Sequence, residues 1–195
     1  MAFGIVGIIA IIGLVVLGLG LILIIWAIGI YNGLIRKRVD CENGWSQIDV
    51  QLKRRYDLIP NLVETVKGYA GHEKGALEAV ISARARAVAV PAGDVAGRGE
   101  AEGFLTASLG KLFALSEAYP DLKANTNFLS LQEELGSTEN KIGFARQHYN
   151  DCVARYQTAR QEFPSVIVAS AFNFAPKDYF EVKDAETREA PKVKF

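Results

Sequence analysis

Residues 1–35, MAFGIVGIIAIIGLVVLGLGLILIIWAIGIYNGLI, contain no Asp, Glu, Lys, Arg or His. A helix over Phe3 to Ile30 would be about 42 Å long at ~1.5 Å per residue, against a hydrocarbon core of roughly 30 Å. The stretch therefore reads as a transmembrane helix with length to spare for tilt. A cleaved secretory signal is the rival reading. It needs a basic n-region, an apolar core of roughly 7–15 residues and a small-residue cleavage site, and none of these is present. The expectation is an uncleaved single-pass anchor over residues 1–35.

Orientation follows from the flanks. No Lys or Arg precedes the span, whereas Arg36, Lys37 and Arg38 follow it directly. The positive-inside rule then leaves the short N-terminus outside and the rest of the chain in the cytoplasm. Two cysteines, Cys41 and Cys152, suit a reducing compartment and read as small core residues. The roughly 160 residues beyond the anchor suffice for one domain with its own core, expected over residues 36–183, with 184–195 as a charged tail. Net charge is zero, and acidic residues are mixed among the Lys and Arg of every segment. Nothing resembles the basic footprint of a nucleic-acid binder.

Beyond the span the chain reads as helix almost throughout. Stepping three and four residues from Ala124 gives Phe128, Leu131, Leu135, Thr138, Ile142, Ala145, Tyr149, Cys152, Tyr156, Ala159 and Phe163. Such a seam, of average period 3.5, keeps one face of a long helix on its neighbours in a bundle. Pro120 and Asp121 suit a helical first turn, and Pro164 marks the stop. A second seam leaves the membrane through Leu34, Cys41, Trp45, Ile48, Leu52, Ile59, Leu62, Val66 and Tyr69. It keeps phase across Pro60, which predicts one helix kinked there. Pro91 and the glycines 93, 97, 99 and 103 place the first connection within residues 87–103. A shorter helix through Leu105, Leu109, Leu112, Leu115 and Tyr119 precedes a tight antiparallel turn at Pro120. The segment 165–171 is apolar and reads as helix or strand, and Phe172, Phe174, Tyr179 and Phe180 read as packing groups. The fold class is all-α: a single transmembrane helix, then a long up-and-down antiparallel bundle with a short C-terminal segment.

No residues announce chemistry. His72 and His148 are the only histidines, neither cysteine has a ligand-spaced partner, and no Gly-x-Ser-x-Gly or Gly-Lys-Ser/Thr signature occurs. No cofactor, metal or small-molecule substrate is expected. What stands out is polar content on the seams. Arg55 lies on the apolar stripe, with Arg54, Asp57, Asn61 and Glu64 nearby, and the later helix carries Glu133, Glu134, Glu139, Asn140 and Arg146. A charge on the stripe must reach solvent along its stem or find a carboxylate. A solvated face with incidental pairs is the favoured reading, a buried ion-pair network the sharper one, and an acid/base role the least supported.

The stretch SQIDVQLKRRYDLIPNLVE at 46–64, EAYPDLKAN at 117–125, TENKI at 138–142, ARQHYN at 145–150 and PKVKF at 191–195 together resemble the LemA family. The similarity covers nearly the whole chain. Within these motifs or beside them stand Trp45, Asp49, Arg54, Arg55, Asp57, Pro60, Asn61, Glu64, Glu117, Tyr119, Pro120, Asp121, Asn125, Glu139, Asn140, Arg146, Tyr149 and Asn150. Gly44 departs from the pattern, which commonly has a larger residue such as Ala. The resemblance implies a membrane anchor, an all-helical bundle and a mostly cytoplasmic protein. It implies no activity, and some relatives are associated with shaping or organising membranes.

Gly7, Gly18, Gly29 and Gly33 give the membrane helix one smooth face. Small residues allow close helix approach in lipid, where packing drives association. Three functions stay open: a non-enzymatic scaffold that self-assembles as a homo-oligomer on membrane lipid, an adaptor for an unidentified protein partner through Phe172 to Phe180 or residues 191–195, and an enzyme with an unrecognised site.

Overall fold

The computed structural model describes residues 2–182, with side chains from Ile11 onward. The surroundings of Gly7 and the expected tail, 184–195, lie outside the described residues. Among those residues there are six helices and no strand. Helix α1 is Ala2–Ala70, α2 Lys74–Ala89, α3 Val95–Ser116, α4 Pro120–Lys123, α5 Thr126–Gln161 and α6 Ser165–Ala171.

Helix α1 changes character along its length. From Ile11 to Ile28 its large apolar side chains stand exposed on every face, with a mean hydropathy of 3.0 in the most apolar window and nothing packed over that window. From Leu34 onward burial narrows to the expected stripe: Leu34, Cys41, Ile48, Leu52, Ile59, Leu62 and Val66 are buried. The chain divides into two compact units, one of Met1–Glu42 with Cys152–Lys177, the other of Asn43–Asp151 with the described residues from Asp178.

In the second unit, α1 and α5 run antiparallel. Gly44 and Trp45 face Tyr149, Arg55 faces Glu139, and Tyr69 faces Asn125. Gly44 has a physical reason here: a Cβ would come within 3.3 Å of the Tyr149 Cα, so a larger residue would push the two backbones apart. Leu77 and Val80 of α2, Leu105, Leu109 and Leu112 of α3, Leu122 of α4, and Phe128, Leu135 and Ile142 of α5 complete this core. The α5 seam packs in the register expected from Phe128 to Tyr156, while at its ends Ala124 and Phe163 are exposed, Phe163 because the helix stops at Gln161.

Two expectations about connections change. The first break comes at residues 71–73, between α1 and α2, and α3 begins at Val95. Gly97, Gly99 and Gly103 therefore lie inside a helix. Asp94 caps it, its carboxylate accepting from the Gly97 amide at 2.8 Å, and Gly99 is glycine because the Glu181 carbonyl oxygen lies where a Cβ would stand. Helix α4 also interrupts the turn before α5. Pro120 opens α4 as a first-turn proline, and Asn125 caps α5 by accepting from the Phe128 amide at 3.0 Å.

Pro60 does not break α1. A helical proline has no N–H for the carbonyl four residues earlier, here that of Tyr56. Arg84 of α2 supplies the missing donor, its Nε lying 2.8 Å from the Tyr56 carbonyl oxygen. Removing that donor leaves a half-buried acceptor unmet, so Arg84→Met should cost about 1–3 kcal/mol. With Pro60→Ala the helix regains its own donor, and the same Arg84→Met should then cost measurably less. Chemical denaturation of the detergent-solubilised chain checks this; equal costs in both backgrounds would contradict it.

Candidate functional site: a buried ion-pair cluster

Arg55 is the one charged residue of the α1 stripe that goes fully inside. Its guanidinium is 4% exposed and lies 3.3 Å from Glu102 Oε2 of α3, 2.9 Å from Glu139 Oε2 of α5, and 2.8 Å from the Thr106 hydroxyl. The Tyr56 hydroxyl donates to the other Glu102 oxygen. A planar fork of donors suits this role, since one guanidinium can hold two carboxylates and a hydroxyl in fixed directions. Three helices converge on the cluster. Glu139 keeps about half its side chain in solvent, whereas Glu102 is 3% exposed.

Burial dominates the electrostatics. It pushes the Glu102 carboxyl above its ordinary value, against the Tyr56 hydrogen bond and the nearby Arg55 and Arg98 charges, which pull it down. Burial and the Glu102 charge likewise raise the Tyr56 hydroxyl. A raised carboxyl bonded to a tyrosine is chemistry an enzyme can use, but that requires access. Glu102 and Tyr56 are both buried. A shallow cleft of about 580 Å³ between α1 and α5 is lined by Val50, Lys141, Phe144 and His148 among others, and a second by Arg160, Phe174 and their neighbours. No member of the cluster lines either cleft. The arrangement is one that fixes helix register.

Of the residues expected on a polar network, Arg55 and Glu139 meet in this cluster, while most of the others lie elsewhere. Arg54 meets Glu134 at 3.6 Å, Asp57 meets Lys53, and Glu64 meets Lys67, all in solvent-exposed pairs. Asp49, Asn61, Asp121 and Asn140 are exposed and Arg146 is half-buried. Glu117 pairs with Lys123, and the Tyr119 hydroxyl donates to Glu73 at 3.0 Å. A second group does one job together. Trp45 packs edge-on against Tyr149 and Phe180, the Tyr149 hydroxyl donates to the Asp178 carbonyl at 2.9 Å, and Asn150 both donates to the Phe180 carbonyl and accepts from its amide. These hold residues 178–181 onto the helices.

In the first unit, Cys41 and Cys152 are buried and form no disulfide, and burial raises the Cys41 thiol. Arg38 lies over the Phe174 ring at 5.7 Å. A Cβ added at Gly18, Gly29 or Gly33 would meet nothing within 4 Å, so the glycine face is open. Among the described residues no group of three or more His, Cys, Asp or Glu could hold a metal ion.

Glu102, Tyr56 and Thr106 were not singled out by the sequence. Glu102 was hidden by the glycines around it, which read as a loop. The signal was its spacing, three residues ahead of Leu105 on the stripe that continues through Leu109, Leu112 and Ser116.

Residues 44–195 match the sequence model of the LemA family. The chain belongs to the LemA family. Among curated relatives, the magnetosome protein MamQ of Magnetospirillum gryphiswaldense is 24% identical over 179 residues, 80% of this chain. Magnetosome protein MamQ 1 of Paramagnetospirillum magneticum is 23% identical over the same share. The chain spans 66% of the length of each of these MamQ proteins. Protein LemA of Metamycoplasma hominis is 23% identical over 159 residues, 82% of this chain and 72% of that protein. Together with the apolar N-terminal helix, this LemA-family membership makes the chain a membrane-associated protein.

Breaking a buried pair by removing one partner typically costs about 3–5 kcal/mol, whereas replacing the pair with apolar side chains is often neutral. Arg55→Met alone should fall in that range, and Arg55→Met with Glu102→Leu should cost less than Arg55→Met alone. Denaturant melts of the four chains in detergent measure this; a double variant that loses the sum of the two singles would show no coupling.

Proposed function

We propose that this LemA-family protein is a non-enzymatic, single-pass protein of the bacterial inner membrane whose cytoplasmic helices assemble with further copies into a scaffold that organises or shapes the bilayer. The observation that carries this reading is the pair Val50 and Phe144. They are 64% and 73% exposed and share the cleft between α1 and α5, beside Gln47 and Ala145. Isolated apolar residues on a surface are ordinary; two that line the same groove between helices suit an association surface. A second copy is the occupant that also accounts for the open glycine face on the same helix, since both faces then serve one assembly. The cytoplasmic side is assigned by Arg36, Lys37 and Arg38.

Several features speak against the alternatives. The buried Arg55 cluster is closed to substrate. Of the aromatic residues an adaptor could have offered, Phe174 and Phe180 are buried in the chain itself, while Phe172 and Tyr179 are exposed. The MamQ relatives are named for the magnetosome and not for a reaction.

The test is the size of the full-length chain after mild detergent extraction. The parent should run as a large homo-oligomer, and Val50→Asp with Phe144→Asp, or Gly29→Ile with Gly33→Ile, should reduce it while membrane content stays the same. A monomeric parent, or a parent whose size neither pair changes, would overturn the reading.

A further inference from the structure

Residues 163–176, FPSVIVASAFNFAP, carry no charged side chain and no histidine, yet they lie beyond the bundle's longest polar helix and between Arg160 and Lys177. Only part of this apolar stretch is used in packing. Val168, Ala169 and Phe174 are buried, and the Tyr156 hydroxyl and Arg160 hold the Ala175 and Phe174 carbonyls from α5. Other apolar side chains in α6 and at its two ends are exposed. Phe163 is 81% exposed, Ile167 61% and Phe172 62%, with Val166 beside them.

Where these residues lie identifies what covers them. Tyr31 directly follows the uninterrupted apolar run of α1, and its ring stands 4.9 Å from that of Phe172 and 5.5 Å from that of Phe174. Phe174 is also met by Arg38, seven residues along the helix or about 10 Å at ~1.5 Å per residue. The α6 segment therefore sits alongside the first two turns after the span. A bilayer is about 30 Å thick in its hydrocarbon core and about 40–45 Å with its headgroups, leaving an interfacial layer of roughly 5–8 Å on each side. Aromatic and apolar side chains with basic neighbours settle in that layer. Arg36, Lys37, Arg38, Arg160 and Lys177 are the basic neighbours; the acids nearby are Glu162, Asp178 and Glu42, the last 3.4 Å from Lys177.

We infer that the exposed face of Phe163, Val166, Ile167 and Phe172 is a second membrane contact, inserted into the headgroup and acyl boundary of the leaflet beside the bundle. The chain then occupies that leaflet with α1 and α6 together and the opposite leaflet with α1 alone. This asymmetry is a wedge, present in each copy. It rests on α1 as a membrane span and not on assembly.

The test uses full-length protein in vesicles of phosphatidylethanolamine and phosphatidylglycerol, with a nitroxide spin label on Ile167→Cys and, separately, on Phe163→Cys. The parent chain, whose two cysteines are buried, gives the background. Gly136→Cys, on an exposed turn of α5 with open space around it, is the aqueous reference. Collision with oxygen, which partitions into lipid, should exceed collision with a water-soluble nickel chelate severalfold at 163 and 167, and the order should reverse at 136. Nickel accessibility at 163 and 167 equal to that at 136 would place the face in water and overturn the inference. Low accessibility to both reagents would place a second copy or another protein on it, and would overturn it equally. Because immersion is read whatever the oligomer size, failure here is distinct from failure of the assembly reading.

Discussion

One buried guanidinium sets the register of the second unit. Arg55 comes from the helix whose N-terminal part is long and apolar enough to cross a membrane, and its partners Glu102 and Glu139 come from α3 and α5. Apolar seams alone tolerate sliding by a turn, since one Leu replaces another at similar cost. A buried charge does not: displaced by one turn, Arg55 would face hydrocarbon and Glu102 would keep an uncompensated charge. The Tyr56 and Thr106 hydroxyls complete the hydrogen bonding of the pair. The same stretch of α1 contains a second polar debt, the Tyr56 carbonyl opposite Pro60, and Arg84 of α2 meets it. Consecutive residues Arg55 and Tyr56 thus tie α1 to three other helices by polar contacts that have one solution.

The sequence was most legible where a single physical demand acts on a long stretch. Lipid requires apolar side chains on every face, and residues 1–35 show it without reference to anything else. The long α5 seam is set by burial along one stripe, and Leu135, Ile142, Tyr149 and Tyr156 lie where the 3/4 spacing puts them. Legibility failed where tertiary contacts override local signals. Glycines at 97, 99 and 103 read as a connection, but one serves a cap and another yields to the Glu181 backbone. The turn at 71–73 was missed because Gly71 is a single glycine at the end of a seam that had already crossed a proline.

The candidate site shows the same division. A charge on the Arg55 stripe could be seen from spacing, and so could the need for a carboxylate. Glu139 was among the nominees, but Glu102, the buried partner, was not. The nominated Asp57 and Glu64 satisfy themselves with Lys53 and Lys67 at local helix spacing, and such pairs contribute little. Tyr149 and Asn150 have a packing role that spacing does not reveal, because the backbone they hold, at Asp178 and Phe180, lies some thirty positions later.

Among the described residues the reactive-looking groups are closed in and the exposed apolar groups lie on outer faces, which suits the proposed scaffold. The central claim is that copies of the chain meet through the Val50 and Phe144 face on the cytoplasmic side. The most direct measurement is cross-linking of Phe144→Cys in intact cells with two bismaleimides, one membrane-permeant and one impermeant. The account predicts a cross-linked dimer with the permeant reagent and none with the impermeant one. No dimer with the permeant reagent, or a dimer with the impermeant one, would contradict it.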